Sequence, residues 1–288
     1  MLSWLSIKNY FSLVRFSHTV FALPFACIGF VLAYAQTDAV FAWRTLVLTL
    51  SCMVFARNTA MSFNRYADRQ FDACNRRTAT REIPCGIITP QRALLFCVVN
   101  AVLFVLAAAL LNRLCLYLSP VALLVIVGYS LTKRFTWMCH GILGLSMSIA
   151  PTAAYIAVTG DMSFSPVCFS VIVLLWGSGF DILYALPDEA FDRQEGLFSI
   201  PARFGRRRAM AISAVLHTVA AALVVVAGWT LHAGIFYITG ATLFCGLLLY
   251  QHLIIKPSDL SRLNTAFATT NGLAAVAFGV LVMIELLL

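Results

Sequence analysis

Charge is what this 288-residue sequence has least of. Asp, Glu, Lys and Arg together make up 11% of it, only 12 residues are acidic, and 61% are hydrophobic. That scarcity excludes an ordinary water-soluble fold, and the mean hydropathy of +0.89 says the same. The alternating segments of about 10 residues that mark a transmembrane β-barrel are missing. Nine cysteines between Cys27 and Cys245 form no CxxC pair and no His–Cys cluster, so neither a disulfide framework nor a zinc site is expected. Most of them fall in apolar runs, where cysteine behaves as a small hydrophobe. Nor is there a soluble basic domain of the kind that binds nucleic acid.

What the chain has instead is apolar runs of roughly 18 residues or more, each able to cross a ~30 Å hydrocarbon layer as a helix. An all-α, polytopic membrane protein follows, with 1–288 as one transmembrane domain. The runs predict nine transmembrane helices, at 17–36, 42–63, 92–111, 114–132, 138–158, 165–184, 209–228, 231–254 and 264–287. Asn112-Arg113, Lys133-Arg134, Gly160-Asp161 and Lys256-Pro257 punctuate them. The first run follows Lys8 and Arg15 without a small-residue cleavage pattern, so it is expected to be a retained membrane helix. All 20 Lys and Arg residues except Arg44, Arg57 and Arg113 lie at the N-terminus or in the loops after spans two, four, six and eight. The positive-inside rule then makes the N-terminus cytoplasmic in a cell membrane, with a bacterial inner membrane expected, and the net charge of +8 mainly a topology signal.

The scarce acids are gathered in two places. In "FNRYADRQFDACNRRTATREIP", 63–84, Asn64, Asp68 and Asp72 are spaced by four and fan over roughly 80° of one helix face. Arg57, seven residues before Asn64, falls within about 20° of the same face. Like-signed carboxylates one turn apart repel unless something positive lies between them, and a hard divalent cation such as Mg²⁺ suits carboxylate and amide oxygens. Arg57 is a charge inside a membrane span. Its insertion cost of ~2.5–3.5 kcal/mol argues for a role in a site.

"SGFDILYALPDEAFDRQEGLFSIPARFG", 178–205, is the second place. Asp181 to Glu195 hold five of the 12 acids. Asp181 and Asp188 share a helical face at a spacing of seven, and Asp192 follows. Pro187 removes a backbone donor and is expected to end or kink the helix. Asp-Arg-Gln occurs at both 68–70 and 192–194, as suits two acidic helix ends facing one cavity. Between them, "GYSLTKRF", 128–135, sets Tyr129 and Lys133 one turn apart with Arg134 adjacent. Arg15 and His18 precede the first span. His140, His217, His232 and His252 show no metal-ligand spacing.

Two carboxylate sets ringed by Arg and Lys under a lipid-facing interior suit a ligand with a diphosphate head and a long apolar tail, a polyprenyl diphosphate. Metal ions and cationic side chains would stabilise the departing diphosphate, and exclusion of water would leave the allylic cation to an electron-rich aromatic ring. A CDP-alcohol phosphatidyltransferase would carry Gly and Ala-Arg between its acids, which "DRQFDACNRR" lacks. A transporter would place charge near the bilayer midplane, in matched halves. Here the acids cluster at one interface and the span count is odd.

These residues also resemble a known family. "RNTAMSFNRYADRQFDACNRRTATREIPCG" and "GFDILYALPDEAFDRQEGLFSIPARFG" look like the two aspartate-rich signatures of the UbiA superfamily of intramembrane aromatic prenyltransferases. "YSLTK" is similar to its Tyr-x-x-x-Lys element. The resemblance covers essentially the whole chain and implies nine helices around a central cavity open sideways to lipid. It implies one Mg²⁺ on Asn64, Asp68 and Asp72, a second on Asp181 and Asp188, and Asp192 in the same metal region. Arg57, Lys133 and Arg134 would hold the diphosphate, Tyr129 would shape the site near the reacting carbon, and Arg15 and His18 would contact the acceptor. The implied reaction is polyprenyl transfer to a hydroxylated aromatic acid of the 4-hydroxybenzoate type in quinone biosynthesis. "RTATREIP" and the second signature also resemble a bacterial subgroup whose acceptor is a dihydroxynaphthoate of menaquinone synthesis. In this chain Arg65 follows Asn64 and Pro187 precedes Asp188, where the family often has Asp and a polar residue.

Overall fold

The computed structural model describes residues 4–14 and 21–288, and these fold into helices joined by turns. Among the described residues, apolar helices lie at the positions of the predicted spans. They are α2 (Leu23–Gln36), α3 (Trp43–Ala67), α5 (Pro90–Leu111), α6 (Arg113–Thr132), α7 (Cys139–Thr159), α8 (Phe164–Tyr184), α11 (Arg206–Thr230), α12 (Ile235–Ile254) and α13 (Asn271–Leu287). Seven are long and apolar enough to cross a membrane. The other two, α2 and α13, are shorter at 14 and 17 residues, and a π-helical stretch over 265–270 leads into α13. The chain is a multi-pass membrane protein. Short helices fill the ends: α1 (Trp4–Leu13), α4 (Arg69–Cys74), α9 (Glu189–Gln194) and α10 (Ile200–Phe204).

Local chemistry sets the boundaries. Thr89 accepts from the Arg92 amide and Pro90 opens α5, a side-chain cap followed by a residue with no amide to orphan. Asn112 caps α6 by accepting from the Cys115 amide at 2.8 Å, and its Nδ2 donates to the Ile156 carbonyl at 2.7 Å, so one side chain starts α6 and ties it to α7. Gly160, at φ +71°, ends α7 in the left-handed conformation that glycine adopts without strain. Arg44 donates to the Leu110 carbonyl at the far end of α5.

α1 was not foreseen. Its last carbonyl, at Leu13, and that of Val14 just after it accept from Arg65 Nε at 3.5 Å and Arg57 Nη2 at 3.4 Å. Helix C-termini carry unsatisfied carbonyls and partial negative charge, so two arginines of α3 hold α1 in place. Leu13 packs with Ile83, Ile88 and Ala93.

The molecule is filled on one side and hollow on the other. Phe25, Phe169, Trp176, Phe244 and Phe278 interlock among α2, α8, α12 and α13. Polar groups inside this half are satisfied: Trp176 Nε1 donates to Asn271 Oδ1 (2.9 Å), and Asn271 Nδ2 donates to Gln251 Oε1 (3.0 Å). At the far end, Glu285 of α13 accepts from the amides of Gly234, Phe236 and Tyr237, capping the start of α12. The hollow half lies among α3, α5, α6, α7 and α8.

Small residues let backbones meet in the wall between the halves. A methyl added at Gly29 would overlap the Pro151 carbonyl, and one at Gly144 would overlap the Leu174 carbonyl and the Ser178 hydroxyl. Gly144→Ala is therefore expected to destabilise the protein by about 1–3 kcal/mol, seen as a lower Tm in detergent. Glu285→Ala, which strips three amides of their acceptor, is expected to lower Tm by a comparable amount.

Candidate active site

The first acidic segment stays on one helical path. α3 gives way to α4 at Asp68, yet the Asp68 amide still donates to the Asn64 carbonyl (2.9 Å) and the Asp72 amide to the Asp68 carbonyl (2.8 Å). The spacing of four keeps its meaning across the junction, and Asn64, Asp68 and Asp72 all line one cavity. In the second segment α8 ends at Tyr184, and a 3₁₀ turn over Leu186–Asp188 with Pro187 inside it redirects the chain into α9. Proline ends the helix as expected, and the turn keeps Asp188 on the cavity wall with Asp181 and Asp192.

Both segments therefore face the same space, a cavity of about 950 Å³. They touch directly. Arg77, from the turn after α4, donates to Asp188 through Nε (3.0 Å) and Nη2 and to the Tyr184 hydroxyl (3.2 Å). Asn75 Nδ2 donates to Asp188 Oδ1 at 3.2 Å. Burial pulls the Arg77 guanidinium down, and the hydrogen bonds and charge of Asp188 more than reverse it.

Every one of these carboxylates is held by a donor. Asp72 takes a bidentate contact from Arg81 Nη1 at 2.7 and 2.8 Å. Asp68 is only 3% exposed, pairs with Lys133 Nζ at 2.9 Å and accepts from Asn64 Nδ2 at 3.2 Å. Asp181 bonds His140 Nδ1 at 2.7 Å, and Asp192 accepts from the Ser199 hydroxyl at 2.7 Å. Burial pushes the Asp192 carboxyl above the usual carboxylate range, and the Ser199 hydrogen bond opposes it. A buried carboxylate without such partners would be strongly unfavourable in a low-dielectric interior.

Arg57, Tyr129 and Lys133 lie on the cavity wall. Arg134 Nη2 donates to the Ala67 carbonyl at 2.7 Å and stands 3.7 Å from Asp68 Oδ1, at the C-terminal end of α3. Arg15 and His18 lie outside the described residues. Arg77, Arg81 and His140 hold the acids more closely than their positions in the sequence suggested. Away from the acids the wall turns apolar, with Met53, Phe104, Leu118, Val121 and Ile149. From Lys133 to Cys115 the cavity follows α6 for 18 residues, which is about 27 Å of helix, nearly the whole hydrocarbon thickness.

Oxygen ligands suited to a hard cation are thus concentrated at the polar end. Among the described residues no preformed group of three or more His, Cys, Asp or Glu side chains is arranged around a metal position. The donors nonetheless suit one: Asn64, Asp68, Asp72, Asp181, Asp188 and Asp192 offer amide or carboxylate oxygens, and Asp68 Oδ1 is buried and accepts no hydrogen bond.

A multi-pass helical membrane protein with an acid-lined mouth opening on a long apolar cavity has the architecture of an enzyme that joins a charged head and a lipid tail. The UbiA prenyltransferase family model matches residues 22–281, and the chain belongs to that family. It is a prenyltransferase. Among curated relatives, the chain is 32% identical over 230 residues to a 4-hydroxybenzoate octaprenyltransferase of Nitrosospira multiformis, covering 80% of this chain and 79% of the relative. It is 29% identical over 245 residues to the protein of the same name in Aliivibrio fischeri strain MJ11, covering 85% of each. Among solved structures, the apo UbiA homologue of Aeropyrum pernix K1 superposes with a TM-score of 0.83 at 28% identity, over 93% of this chain and 98% of that one. A UbiA homologue of Archaeoglobus fulgidus bound to GPP and Mg²⁺ shares the fold, with a TM-score of 0.70 at 20% identity over 96% and 99% of the two chains.

A double-mutant cycle tests the bridge between the two acidic segments. Arg77→Ala and Asp188→Ala are each expected to lower Tm. The double variant should fall short of their sum by about 1 kcal/mol, a modest value because Arg77 is 36% exposed. Strict additivity would mean that the pair does not join the segments.

Proposed function

We propose that this protein transfers a polyprenyl group from polyprenyl diphosphate to a hydroxylated aromatic acid of the 4-hydroxybenzoate type, in quinone biosynthesis. The reaction would take place at the cytoplasmic side of a bacterial inner membrane, with the N-terminus cytoplasmic. The single observation that carries this reading is the cavity itself: two acidic segments meet at one end, and an apolar wall runs from them for most of a bilayer's thickness. The names of the curated relatives favour the acceptor. The GPP and Mg²⁺ bound by the A. fulgidus protein are in keeping with the donor and the metal.

Asn64, Asp68 and Asp72 would hold one Mg²⁺, and Asp181 and Asp188 a second, with Asp192 beside them. When bound, the metal supplies positive charge that favours departure of the diphosphate. Lys133 and Arg57 on the cavity wall bind the diphosphate, and Arg77 and Arg81 keep two of the carboxylates in place. The C1–O bond of the allylic diphosphate breaks with its electron pair passing to the diphosphate oxygen. A ring carbon of the acceptor then bonds to C1, and the ring gives up a proton. The apolar wall keeps water from C1, and Tyr129 shapes the space beside it. The tail reaches the cavity sideways from the bilayer.

Membranes containing the protein, given labelled polyprenyl diphosphate and 4-hydroxybenzoate, are expected to form a prenylated acid. EDTA should stop this and excess Mg²⁺ restore it. Offering a dihydroxynaphthoate in parallel separates the two acceptors that the signatures resemble, and transfer to neither acid would remove this acceptor class. Asp68→Ala or Asp188→Ala is expected to lower turnover about 10²–10³-fold while the protein remains folded in membranes. Lys133→Ala is expected to raise KM for the donor more than it lowers kcat; an unchanged donor KM would remove Lys133 from diphosphate binding.

A further inference from the structure

Among the carboxylates of the cavity, Asp181 is held by the group whose sequence position gave least away. His140, the second residue of α7, is 3% exposed, and both of its ring nitrogens are engaged. Nε2 accepts from the Ile200 amide at 3.3 Å, which leaves Nδ1 to donate to Asp181 Oδ2 at 2.7 Å. Ile200 is the first residue of α10, so its amide is one that the helix cannot satisfy itself. The same short segment makes three further ties. Ser199 Oγ donates to Asp192, the Phe198 amide donates to the Lys133 carbonyl at 2.6 Å, and Cys139 Sγ lies 3.5 Å from the Phe198 carbonyl as donor.

We propose that His140 is a positioning residue: it transmits the fixed placement of the 198–200 segment to the Asp181 carboxylate and so sets that carboxylate's aim into the cavity. The proposal rests on the reading of Asp181 as a ligand to a divalent cation. Imidazoles and carboxylates linked in this way orient a ligand oxygen, and removing the outer partner of such a pair commonly weakens metal binding by about 10–100-fold. The contact is set by folding alone, because Asp181 and His140 are 41 residues apart.

The test measures Mn²⁺ binding to purified protein in detergent by electron paramagnetic resonance, with Tm recorded for each variant. His140→Ala removes both ring nitrogens, whereas His140→Asn keeps an amide N–H close to the position of Nδ1. His140→Ala is expected to bind Mn²⁺ about 10–100-fold more weakly per folded molecule. In the prenyl-transfer assay its KM for Mg²⁺ should rise more than its kcat falls. His140→Asn is expected to recover most of the Mn²⁺ affinity. Wild-type affinity in His140→Ala overturns the proposal, as does a His140→Asn variant that is folded and binds no better than His140→Ala. If the wild-type protein itself binds no Mn²⁺, it is the metal-dependent reading of the whole site that fails.

Discussion

A carboxylate within reach of lipid must have a partner, and that constraint organises the polar end of this protein. The chain has few acids, and those on the cavity are each matched to a donor brought from elsewhere in sequence: Arg81 to Asp72, Lys133 to Asp68, Arg77 to Asp188, His140 to Asp181, Ser199 to Asp192. Because Arg77, Arg81, Lys133 and Ser199 lie in the connections between spans, satisfying the acids also folds those connections. The turn after α4 is drawn over to α8, and the segment before α10 is laid against the turn between α6 and α7. Neutralising charge and closing the polar end of the helix bundle are one event.

The apolar half works by a different rule. Its aromatic cluster is buried, and its Trp176–Asn271–Gln251 chain satisfies polar groups among those side chains. This asymmetry leaves an apolar-walled cavity on one side and a packed core on the other. The cavity inherits a gradient from carboxylates at one mouth to methyl groups along α5, α6 and α7, the same gradient that runs along a prenyl diphosphate.

Much of this was legible before any coordinates. Span boundaries at Asn112 and Gly160 could be read because those side chains do the same local job wherever a helix starts or stops. The spacing of Asn64, Asp68 and Asp72 held because helical hydrogen bonding survives the change from α3 to α4. Pro187 was read correctly as a helix end, although only the fold reveals that the resulting 3₁₀ turn brings Asp188 to Arg77. α1 escaped notice because its anchors, Arg57 and Arg65, lie more than forty residues away in the chain. His140 escaped for the same reason: a lone histidine at a span boundary has no local pattern, and its meaning comes from Asp181 and Ile200. Adjacency to Lys133 likewise says nothing of the Ala67 carbonyl to which Arg134 donates.

The glycine contacts have a mechanical corollary. Where α2 meets α7 and α7 meets α8, backbones touch with no side chain to yield between them, so that wall is stiff. α6 has no comparable clamp, for Gly128 faces open space, and α5 contains no glycine at all. The unyielding backbone contacts thus lie on the side of α2, α7 and α8, the side that carries Asp181, and leave α5 and α6 the cavity walls with room to adjust.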